Sequence, residues 1–431
     1  MNNTISQLSP SPYEMQSGRA LPHSMTLSRV TRPSLRAASL GVRQCSAAFI
    51  SCLLGLLASS VFAAQNEEIG IIKGIETGQK PIPVSISGFS GEALDALKFD
   101  LYVQGFSFVG SEATPQYLIN GSANGNVQGR LVDALKKSAM FSKSYSGGSA
   151  RRQIHAFADD IVFAITQSKG IAQTKIAFKN DTGPTSEIFI ADFDGHNAQA
   201  VTKDSTIVAA PCWVPGRMAL YYTSYKLNNP DIFYHDLSTG SRKAIANYSG
   251  LNTSAAVSPD GKRVAMILSK GGSPDVYVCD ADGTNLKRLT NTREDESSPC
   301  WSPDGHWICF AAKIKERRSL CKIPASGGEV QRIPTTGVLN PTEPDWSPDG
   351  KTIVFTAMMG GFEVCTVPAS GGQVTQLTAG EDPCWAPNSR TIIFARRTGG
   401  HRVLALIDER TKQSKDISRL PGSNSQPSWA R

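Results

Sequence analysis

Histidine, serine and acidic side chains could support catalysis in this chain, but none of them stands in a catalytic motif. A hydrolase serine needs the pattern Gly-x-Ser-x-Gly, whereas Gly88-Phe-Ser-Gly brings the second glycine one residue too early. No His-Glu-x-x-His pair, phosphate-binding loop or dinucleotide fingerprint occurs. The six histidines are scattered along the chain, at His23, His155, His196, His235, His306 and His401. The sequence therefore predicts a protein that is not an enzyme and has no catalytic residues.

Two acidic motifs have a superficial likeness to calcium ligands. Asp192-Phe-Asp-Gly195 and Asp280-Ala-Asp-Gly283 lack the further oxygen ligands and the glutamate at position 12 that a calcium loop requires. Asp-Gly is also the sequence that a tight turn favours. His155 has no metal ligand beside it in the sequence, so we interpret it as a structural histidine. We expect no metal site and no cofactor.

The cysteines form no paired motif. The chain has nine, of which Cys45 and Cys52 lie near the N-terminus, and no Cys-x-x-Cys occurs. Cys212, Cys300 and Cys384 each stand between proline and tryptophan, at equivalent places in a repeat. We interpret them mainly as small buried side chains. Because seven cysteines remain after the N-terminal region, at least one thiol stays unpaired or bonds another chain.

An internal repeat is the strongest signal in the sequence. Its anchors are spaced 44, 44, 45, 39 and 44 residues apart, which is the size of a four-stranded propeller blade. In the recurring Ser-Pro-Asp-Gly, proline presets φ, aspartate bonds to local backbone and glycine adopts a left-handed conformation, so each copy predicts a hairpin turn. The anchors are Trp213, Val257, Trp301, Trp346, Trp385 and Trp429.

The two ends of the repeat region complete one blade. Three strands after Thr174 have no Trp-Pro turn before them, and the strand ending at Trp429 has no strands after it. Joining these fragments closes the ring and removes open sheet edges. The sequence thus predicts a six-bladed β-propeller over residues 171–431.

Residues 64–170 have the pattern of a small α/β domain. Strands are expected at 83–89, 106–109 and 117–121, and a helix at 92–101. A second helix at 151–166 places Ile154, Phe157, Ile161 and Ile165 on one apolar face. The fold class expected for the chain is therefore multidomain, with an N-terminal α/β domain followed by an all-β six-bladed propeller.

Residues 1–63 have the features of an export signal and leader. An uncharged apolar run at 46–62 follows several arginines and ends in small residues, with Val61 and Ala63 suited to cleavage before Ala64. The true start is either Met1 or Met25, and a retained anchor is the alternative to cleavage. The net charge of +7 includes the arginines of this region, so the remainder is too weakly basic to indicate nucleic-acid binding.

The order of these parts resembles the TolB family, periplasmic propellers of the Tol-Pal system in Gram-negative envelopes. The resemblance covers residues 67–431. It depends on Glu68-Ile-Gly-Ile, the helix with His155-Ala-Phe-Ala-Asp-Asp, the junction Thr174-Lys-Ile-Ala-Phe and the Trp-Ser-Pro-Asp-Gly turns. It implies a periplasmic monomer that supports outer-membrane integrity and envelope invagination during cell division, associating peripherally with the outer membrane through the lipoprotein Pal.

The same resemblance implies two partner sites. Pal would bind the loop face of the propeller, where the matching positions are Asn252, Ser254, Ser297 and Ser298, expected in loops before the inner strands. TolA would bind a mobile segment at residues 65–75, through Glu68, Ile69, Ile71 and Ile72. The α/β domain is shorter than is usual in the family between Phe108 and Tyr117. The alternative hypothesis is a propeller that binds a sugar or peptide, or a remnant of a propeller peptidase.

Overall fold

A computed structural model describes residues 78–110 and 113–431. The predicted leader and its cleavage site, Cys45 and Cys52, and the TolA-site residues Glu68, Ile69, Ile71 and Ile72 lie outside the described residues. Neither helix of the described part has the length and apolar content needed to cross a bilayer.

The N-terminal part of the described chain is a five-stranded sheet with two helices. The strand order is β2-β1-β3-β4-β5, with β1 parallel to both neighbours and the β3-β4 and β4-β5 pairs antiparallel. The elements are β1 (Ile82–Ser87), α1 (Gly91–Tyr102), β2 (Phe106–Phe108), β3 (Tyr117–Ser122), β4 (Val127–Asp133), β5 (Ser138–Tyr145) and α2 (Ala150–Thr166).

Helix α2 forms as its sequence predicts. The Ser149 hydroxyl accepts the N–H of Arg152 at 3.2 Å and caps the first turn, and Gln167 ends the helix in a left-handed conformation. Its apolar face is buried, with Ile154, Phe157 and Ile161 fully inaccessible. Strands β4 and β5 were missing from the sequence-based prediction. Most residues of β5 are exposed and give it no apolar periodicity, whereas β4 begins with alternating buried and exposed residues that the prediction overlooked.

A glycine in β4 allows α2 to lie close to the sheet. A Cβ at Gly129 would stand 2.4 Å from the Phe157 ring, which is also contacted by Phe141 and Tyr145. We expect Gly129→Ala to lower the free energy of unfolding by roughly 1–3 kcal/mol, because this packed ring has little room to move. Denaturant titration measures the change. Gly361→Ala, where an added Cβ meets no atom within 4 Å, should change it little; equal losses would contradict this account.

Six four-stranded antiparallel sheets follow, which confirms the predicted propeller. The strands of the first three blades are β6 (Lys175–Asp181), β7 (Ser186–Asp192), β8 (Gln199–Ala200), β9 (Val208–Trp213), β10 (Ala219–Ser224), β11 (Asp231–Asp236), β12 (Arg242–Ala246), β13 (Asn252–Val257), β14 (Arg263–Leu268), β15 (Asp275–Asp280) and β16 (Lys287–Arg288).

Fifteen further strands follow: twelve form blades 4 to 6, and the last, β31, belongs to blade 1. Among them, β21 and β25 form a separate two-stranded parallel pair beside blades 4 and 5. The strands are β17 (Glu296–Trp301), β18 (Trp307–Ile314), β19 (Arg317–Pro324), β20 (Gln331–Ile333), β21 (Thr335–Thr336), β22 (Thr342–Trp346), β23 (Thr352–Met358), β24 (Phe362–Pro368), β25 (Gly372–Gln373), β26 (Thr375–Ala379), β27 (Glu381–Trp385), β28 (Thr391–Thr398), β29 (His401–Asp408), β30 (Ser414–Asp416) and β31 (Ser423–Trp429).

The repeated turns have the conformation that their residues predict. In blade 3, Oδ1 of Asp260 accepts the hydroxyl of Ser258 at 2.5 Å and the N–H of Lys262 at 3.1 Å. Gly261 follows with a φ of 70°, which favours glycine. The same arrangement recurs after β17 and β22, so this local sequence sets where each inner strand turns back.

The last strand of the chain closes the ring. Strand β31 pairs with β6, which places Trp429 opposite Ile176. The indole N–H of Trp429 donates to Oγ1 of Thr174 at 2.7 Å, and the ring is 2% exposed. The predicted completion of blade 1 by both ends of the repeat is therefore confirmed.

The sheet domain and the propeller share one continuous apolar core. Phe193 of blade 1 contacts Phe99 of α1, with ring centroids 5.7 Å apart, and Trp429 at 6.5 Å. Hydrogen bonds to backbone carbonyls reinforce the junction: Thr391 donates to Val103 at 3.1 Å, and the Gln413 amide donates to Phe106 at 3.0 Å. All described residues accordingly fall in one compact unit.

Candidate partner-binding face at the mouth of the channel

Each inner strand contains a bulge near its start that directs one residue toward the central channel. The bulge residues share a left-handed backbone, with φ between 49° and 56°, at a break in the strand pairing. Proline follows in five of the six, where the missing N–H suits the interrupted ladder. The bulge residues are Ala210, Ser254, Ser298, Glu343, Asp382 and Gln426.

Half of this ring is joined by hydrogen bonds from blade to blade. Oε2 of Glu343 accepts the backbone N–H of Asp382 at 3.1 Å, and Oδ2 of Asp382 accepts that of Gln426 at 3.0 Å. Oε1 of Gln426 accepts the N–H of Ala210 at 2.9 Å. The short side chains of Ala210, Ser254 and Ser298 cannot continue the pattern, so the mouth of the channel has one polar, bonded half and one open half.

The bonded half carries less negative charge than its residues suggest. Burial, together with the nearby Glu343 carboxylate, raises the pKa of Asp382 to about 8. At neutral pH the Asp382 carboxyl is therefore mostly protonated.

A cavity of about 470 Å³ lies in the channel, lined by the bulge residues and by Arg431. The Arg431 guanidinium donates to Oδ2 of Asp345 at 2.5 Å. Cys212, Cys300 and Cys384 line the same cavity. Cys300 is buried as the sequence analysis interpreted it, whereas Cys212 and Cys384 are partly exposed. Burial raises the pKa of the Cys212 thiol to about 11, so this thiol is a weak nucleophile at neutral pH.

Asn252 does not lie where the sequence analysis placed it. It is the first residue of β13 and not part of a loop, and its side chain is fully buried. Its amide donates to the carbonyls of Pro230, at 3.1 Å, and Tyr248, at 2.7 Å, which anchors the start of the strand to neighbouring loops. The expected loop position is thus wrong, and Asn252 can support a partner site only by positioning other residues.

The three serines also lie in strands and not in the loops expected for them, but they are partly exposed. Ser254 and Ser298 occupy bulges and line the mouth of the channel. Ser297 precedes Ser298 on β17, and its hydroxyl accepts a hydrogen bond from Arg318 at 3.1 Å. The structure therefore places Ser254, Ser297 and Ser298 at one end of the propeller, partly exposed to solvent. Asn252 is buried and is not accessible to a partner.

The loops around this mouth carry exposed hydrophobic side chains that sequence reasoning did not identify. We use the name loop face for this end of the propeller, formed by the connections between blades and by the hairpins between second and third strands. Seven of the twelve exposed large hydrophobic residues of the described chain lie on it: Ile207, Tyr225, Leu227, Ile314, Leu339, Met358 and Met359. Leu227 and Leu339 are 51% and 58% exposed. Leu227 and Leu339 each follow or interrupt a run of mainly polar residues, so no hydrophobic periodicity in the sequence reveals them.

Some of the charged residues on the loop face form ion pairs. Glu381 accepts hydrogen bonds from Arg397, at 3.0 Å, and from Arg402, at 2.5 Å. Although burial opposes the effect, these two guanidinium groups lower the pKa of Glu381. The loop face thus offers hydrophobic contact area with charges of both signs around it, which suits a protein partner better than a strongly charged ligand.

A second polar cluster lies away from the loop face, between the helices and blade 1. Nδ1 of His155 is 2.7 Å from Oδ2 of Asp100, and its Nε2 is 3.4 Å from Oδ2 of Asp194, an ion-pair contact longer than a good hydrogen bond. Arg151 also donates to Asp194. The interpretation of Asp194 as a turn residue was therefore incomplete, since it connects the propeller to α2.

The charges of this cluster follow from its burial and its ion pairs. Burial opposes a charged imidazole, but the Asp100 carboxylate and its hydrogen bond raise the pKa of His155 to about 10. Burial raises the pKa of Asp100 to about 6, while hydrogen bonds from His155 and Arg151 lower that of Asp194 against the effect of burial. His155, Asp100 and Asp194 have the donor types of a metal site, but the positive charges of His155 and Arg151 already balance the two carboxylates.

Comparisons with known proteins agree with this architecture. The family described as the TolB beta propeller domain matches residues 163–431. The Tol-Pal system protein TolB of Bordetella pertussis is 30% identical over 207 residues, and that of Bordetella parapertussis is 32% identical over the same length. In each case the match covers 47% of this chain and 47% of the relative, so the chain spans about half the length of the curated relatives it matches.

The likeness in structure extends further along the chain. The crystal structure of TolB from Acinetobacter baumannii superposes with a TM-score of 0.74 and covers 82% of this chain and 97% of that one. At 24% identity this similarity concerns the fold alone. The family match, in contrast, includes all six blades and the end of α2. The chain therefore belongs to the TolB β-propeller domain family.

Proposed function

We propose that this protein is a non-enzymatic interaction scaffold of the Tol-Pal system in the periplasm. Its loop face binds the lipoprotein Pal, and its N-terminal segment binds TolA. Through Pal it associates peripherally with the outer membrane and supports envelope integrity and invagination during division. The relatives in Bordetella, which are named as Tol-Pal system proteins, support this assignment.

The observation that carries the Pal proposal is the concentration of exposed hydrophobic residues on the loop face. Exposed hydrophobic residues that concentrate on one face of a protein indicate an interaction site more strongly than residues scattered singly over the surface. Here Ile207, Tyr225 and Leu227 border the mouth of the channel beside blades 1 and 2. Ile314, Leu339, Met358 and Met359 border it beside blades 4 and 5.

Polar groups at the mouth of the channel complete the proposed Pal site. The open half of the ring presents the hydroxyls of Ser254 and Ser298, and Ser297 lies beside it. In such a site the polar groups fix the orientation of a partner, while the apolar contacts provide most of the free energy of binding. Asn252 contributes by holding the start of β13 in place.

TolA binding is assigned to Glu68, Ile69, Ile71 and Ile72. Alternating apolar residues in a short segment suit the addition of one strand to a partner sheet, a common mode of peptide recognition. Because this segment is distant in sequence from the loop face residues, the two partners can be tested separately.

The Pal proposal predicts a selective loss of binding. We expect the double variant Leu227→Glu with Leu339→Glu, made in the full chain, to weaken binding to purified Pal about tenfold or more. The reason is that binding would bury each new carboxylate in an apolar contact. Isothermal titration or biolayer interferometry measures the dissociation constant. Binding of the same variant to purified TolA should remain unchanged.

Two equally simple substitutions outside the loop face serve as the matched control. Met218 and Val330 are 45% and 37% exposed and lie in other parts of the propeller, so Met218→Glu with Val330→Glu should leave Pal binding intact. No binding of Pal by the unmodified chain would refute the proposal. Equal losses in the two double variants would show that Pal does not use the loop face.

A further inference from the structure

Blade 4 contains two cysteines that face each other on neighbouring strands. Cys300 of β17 is paired directly with Cys309 of β18 in an antiparallel ladder. Residues opposite each other in such a ladder have their side chains on the same face of the sheet, with Cα atoms about 4.5 or 5.5 Å apart. Both separations lie within the range of about 4.4–6.8 Å found for disulfides.

We propose that Cys300 and Cys309 form a disulfide bond that covalently joins the two inner strands of blade 4 under oxidising conditions. The bond requires no change in the pairing of the strands. It would lie two residues from Ser298, next to the proposed Pal site. Its occurrence in the cell depends on the proposed periplasmic location, whereas the chemistry can be tested on the isolated chain.

The other cysteines of the described residues lack such a partner. Cys321 lies in the same blade on β19, but it is paired with Phe310, the residue after Cys309, and so faces the opposite side of the sheet. Cys321 packs toward blade 3, whereas Cys300 and Cys309 pack toward blade 5. Cys212 and Cys384 lie on the inner strands of other blades. Cys279 is paired with Val264 in blade 3, and Cys365 with Phe355 in blade 5. The strand pairing therefore selects one pair among the thiols.

The two thiols differ in access to an oxidant. Cys300 is 8% exposed and lines the channel cavity, whereas Cys309 is fully buried. In the reaction, the Cys300 thiolate attacks a disulfide of the oxidant, forms a mixed disulfide with one of its sulfurs and releases the other as a thiol. The Cys309 thiol then loses its proton and displaces the second oxidant sulfur as a thiol, so two protein thiols are oxidised and one oxidant disulfide is reduced.

The folded blade should react slowly. Interaction with the Cys309 thiol and burial together raise the pKa of Cys300 well above its usual range, so little thiolate is present at neutral pH. Formation of the bond is consequently expected while blade 4 assembles, when Cys300 is still accessible. A disulfide exchange reagent present during refolding, such as oxidised and reduced glutathione, supplies the oxidant.

Peptide mass spectrometry tests the proposal. Trypsin cleaves after Arg293 and after Lys313, and no lysine or arginine lies between them. The resulting peptide, residues 294–313, contains Cys300 and Cys309 and no other cysteine. The full chain is refolded in the glutathione mixture, its free thiols are alkylated under denaturing conditions and the digest is analysed without reduction. We expect the unalkylated peptide, lighter by two hydrogen atoms than its dithiol form, to predominate, and reduction before alkylation to yield the doubly alkylated peptide.

Single replacements give the matched controls. Cys309→Ala should leave Cys300 fully alkylated, whereas Cys321→Ala on the other face of the blade should leave the internal disulfide unchanged. Predominance of the doubly alkylated peptide from the refolded, unreduced chain would overturn the proposal, and so would a disulfide joining Cys300 to a cysteine of another peptide. Because the unmodified chain alone decides between these outcomes, a variant that fails to fold does not affect the test.

Discussion

His155→Gln should lower the free energy of unfolding at pH 7 by about 3 kcal/mol, because breaking a buried ion pair leaves its partners uncompensated. In the native protein, the imidazolium lies between Asp100 of α1 and Asp194 of blade 1, and all three side chains are at least 94% inaccessible. Glutamine preserves hydrogen-bonding capacity but not the charge. Chemical denaturation monitored by tryptophan fluorescence measures the loss.

The same substitution should also change the dependence of stability on pH. The folded pKa of His155, about 10, is raised above its ordinary value of 6.5, so its stabilising contribution is complete below about pH 6.5 and is lost as the pH rises toward 10. Both carboxylates are ionised from pH 7 upward, since the pKa of Asp100 is about 6 and that of Asp194 is lower. The stabilities of the unmodified chain and the variant should therefore converge between pH 7 and 10.

A buried histidine without carboxylate partners provides the control. Burial lowers the pKa of His235 in blade 2, so this side chain is already neutral at pH 7. The difference in stability between His235→Gln and the unmodified chain should be constant from pH 7 to 10. A constant difference for His155→Gln as well would mean that His155 carries no charge in the folded protein.

Trp429→Ala should lower the free energy of unfolding by about 3–5 kcal/mol, the usual cost of removing a large buried aromatic side chain. Trp429 belongs to the last strand, and its ring contacts Phe193, which in turn contacts Phe99 of the sheet domain. The substitution therefore weakens both the closure of blade 1 and the junction to α1. Urea titration measures the loss, and hydrogen exchange should show faster opening of β6 and β31 than of strands in blade 4.

Trp429→Phe separates packing from hydrogen bonding. Phenylalanine keeps most of the apolar contact but cannot donate to Thr174, so we expect a loss of about 1–2 kcal/mol, the value of one hydrogen bond with some packing. Two results would show that the last strand does not limit ring closure. One is a loss for Trp429→Ala below about 1–2 kcal/mol, the loss expected for Trp429→Phe. The other is hydrogen exchange that Trp429→Ala accelerates equally in all blades.

The propeller was predictable because its turns depend on residues that are close together in the sequence. Each Ser-Pro-Asp-Gly turn forms from contacts within six residues, as the hydrogen bonds of Asp260 show, and the repeat spacing then sets the number of blades. Helix α2 was predictable for the same reason, from its apolar periodicity and Ser149 cap. Strand β5 was not, because its residues are mostly exposed and their pairing with β4 comes from the neighbouring strand.

The candidate site was only partly predictable. The family resemblance led to Ser254, Ser297 and Ser298, which the structure places together at the mouth of the channel. It also led to Asn252, which the structure buries, because one sequence position says nothing about which loops fold over it. The recurring proline after the bulge residues was a visible signal for the ring, but its conformation could not be inferred from proline alone.

By itself, the sequence determined the turns, the number of blades and the closure of the ring by Trp429, since these depend on short-range conformational preferences and on a repeated period. Only the tertiary structure decided which distant groups meet: Asp100 and Asp194 around His155, Glu343 beside Asp382, and the hydrophobic rim of the loop face. The physical reason is that pKa values, burial and accessible surface arise from groups brought together across the fold, and no local preference encodes those distances.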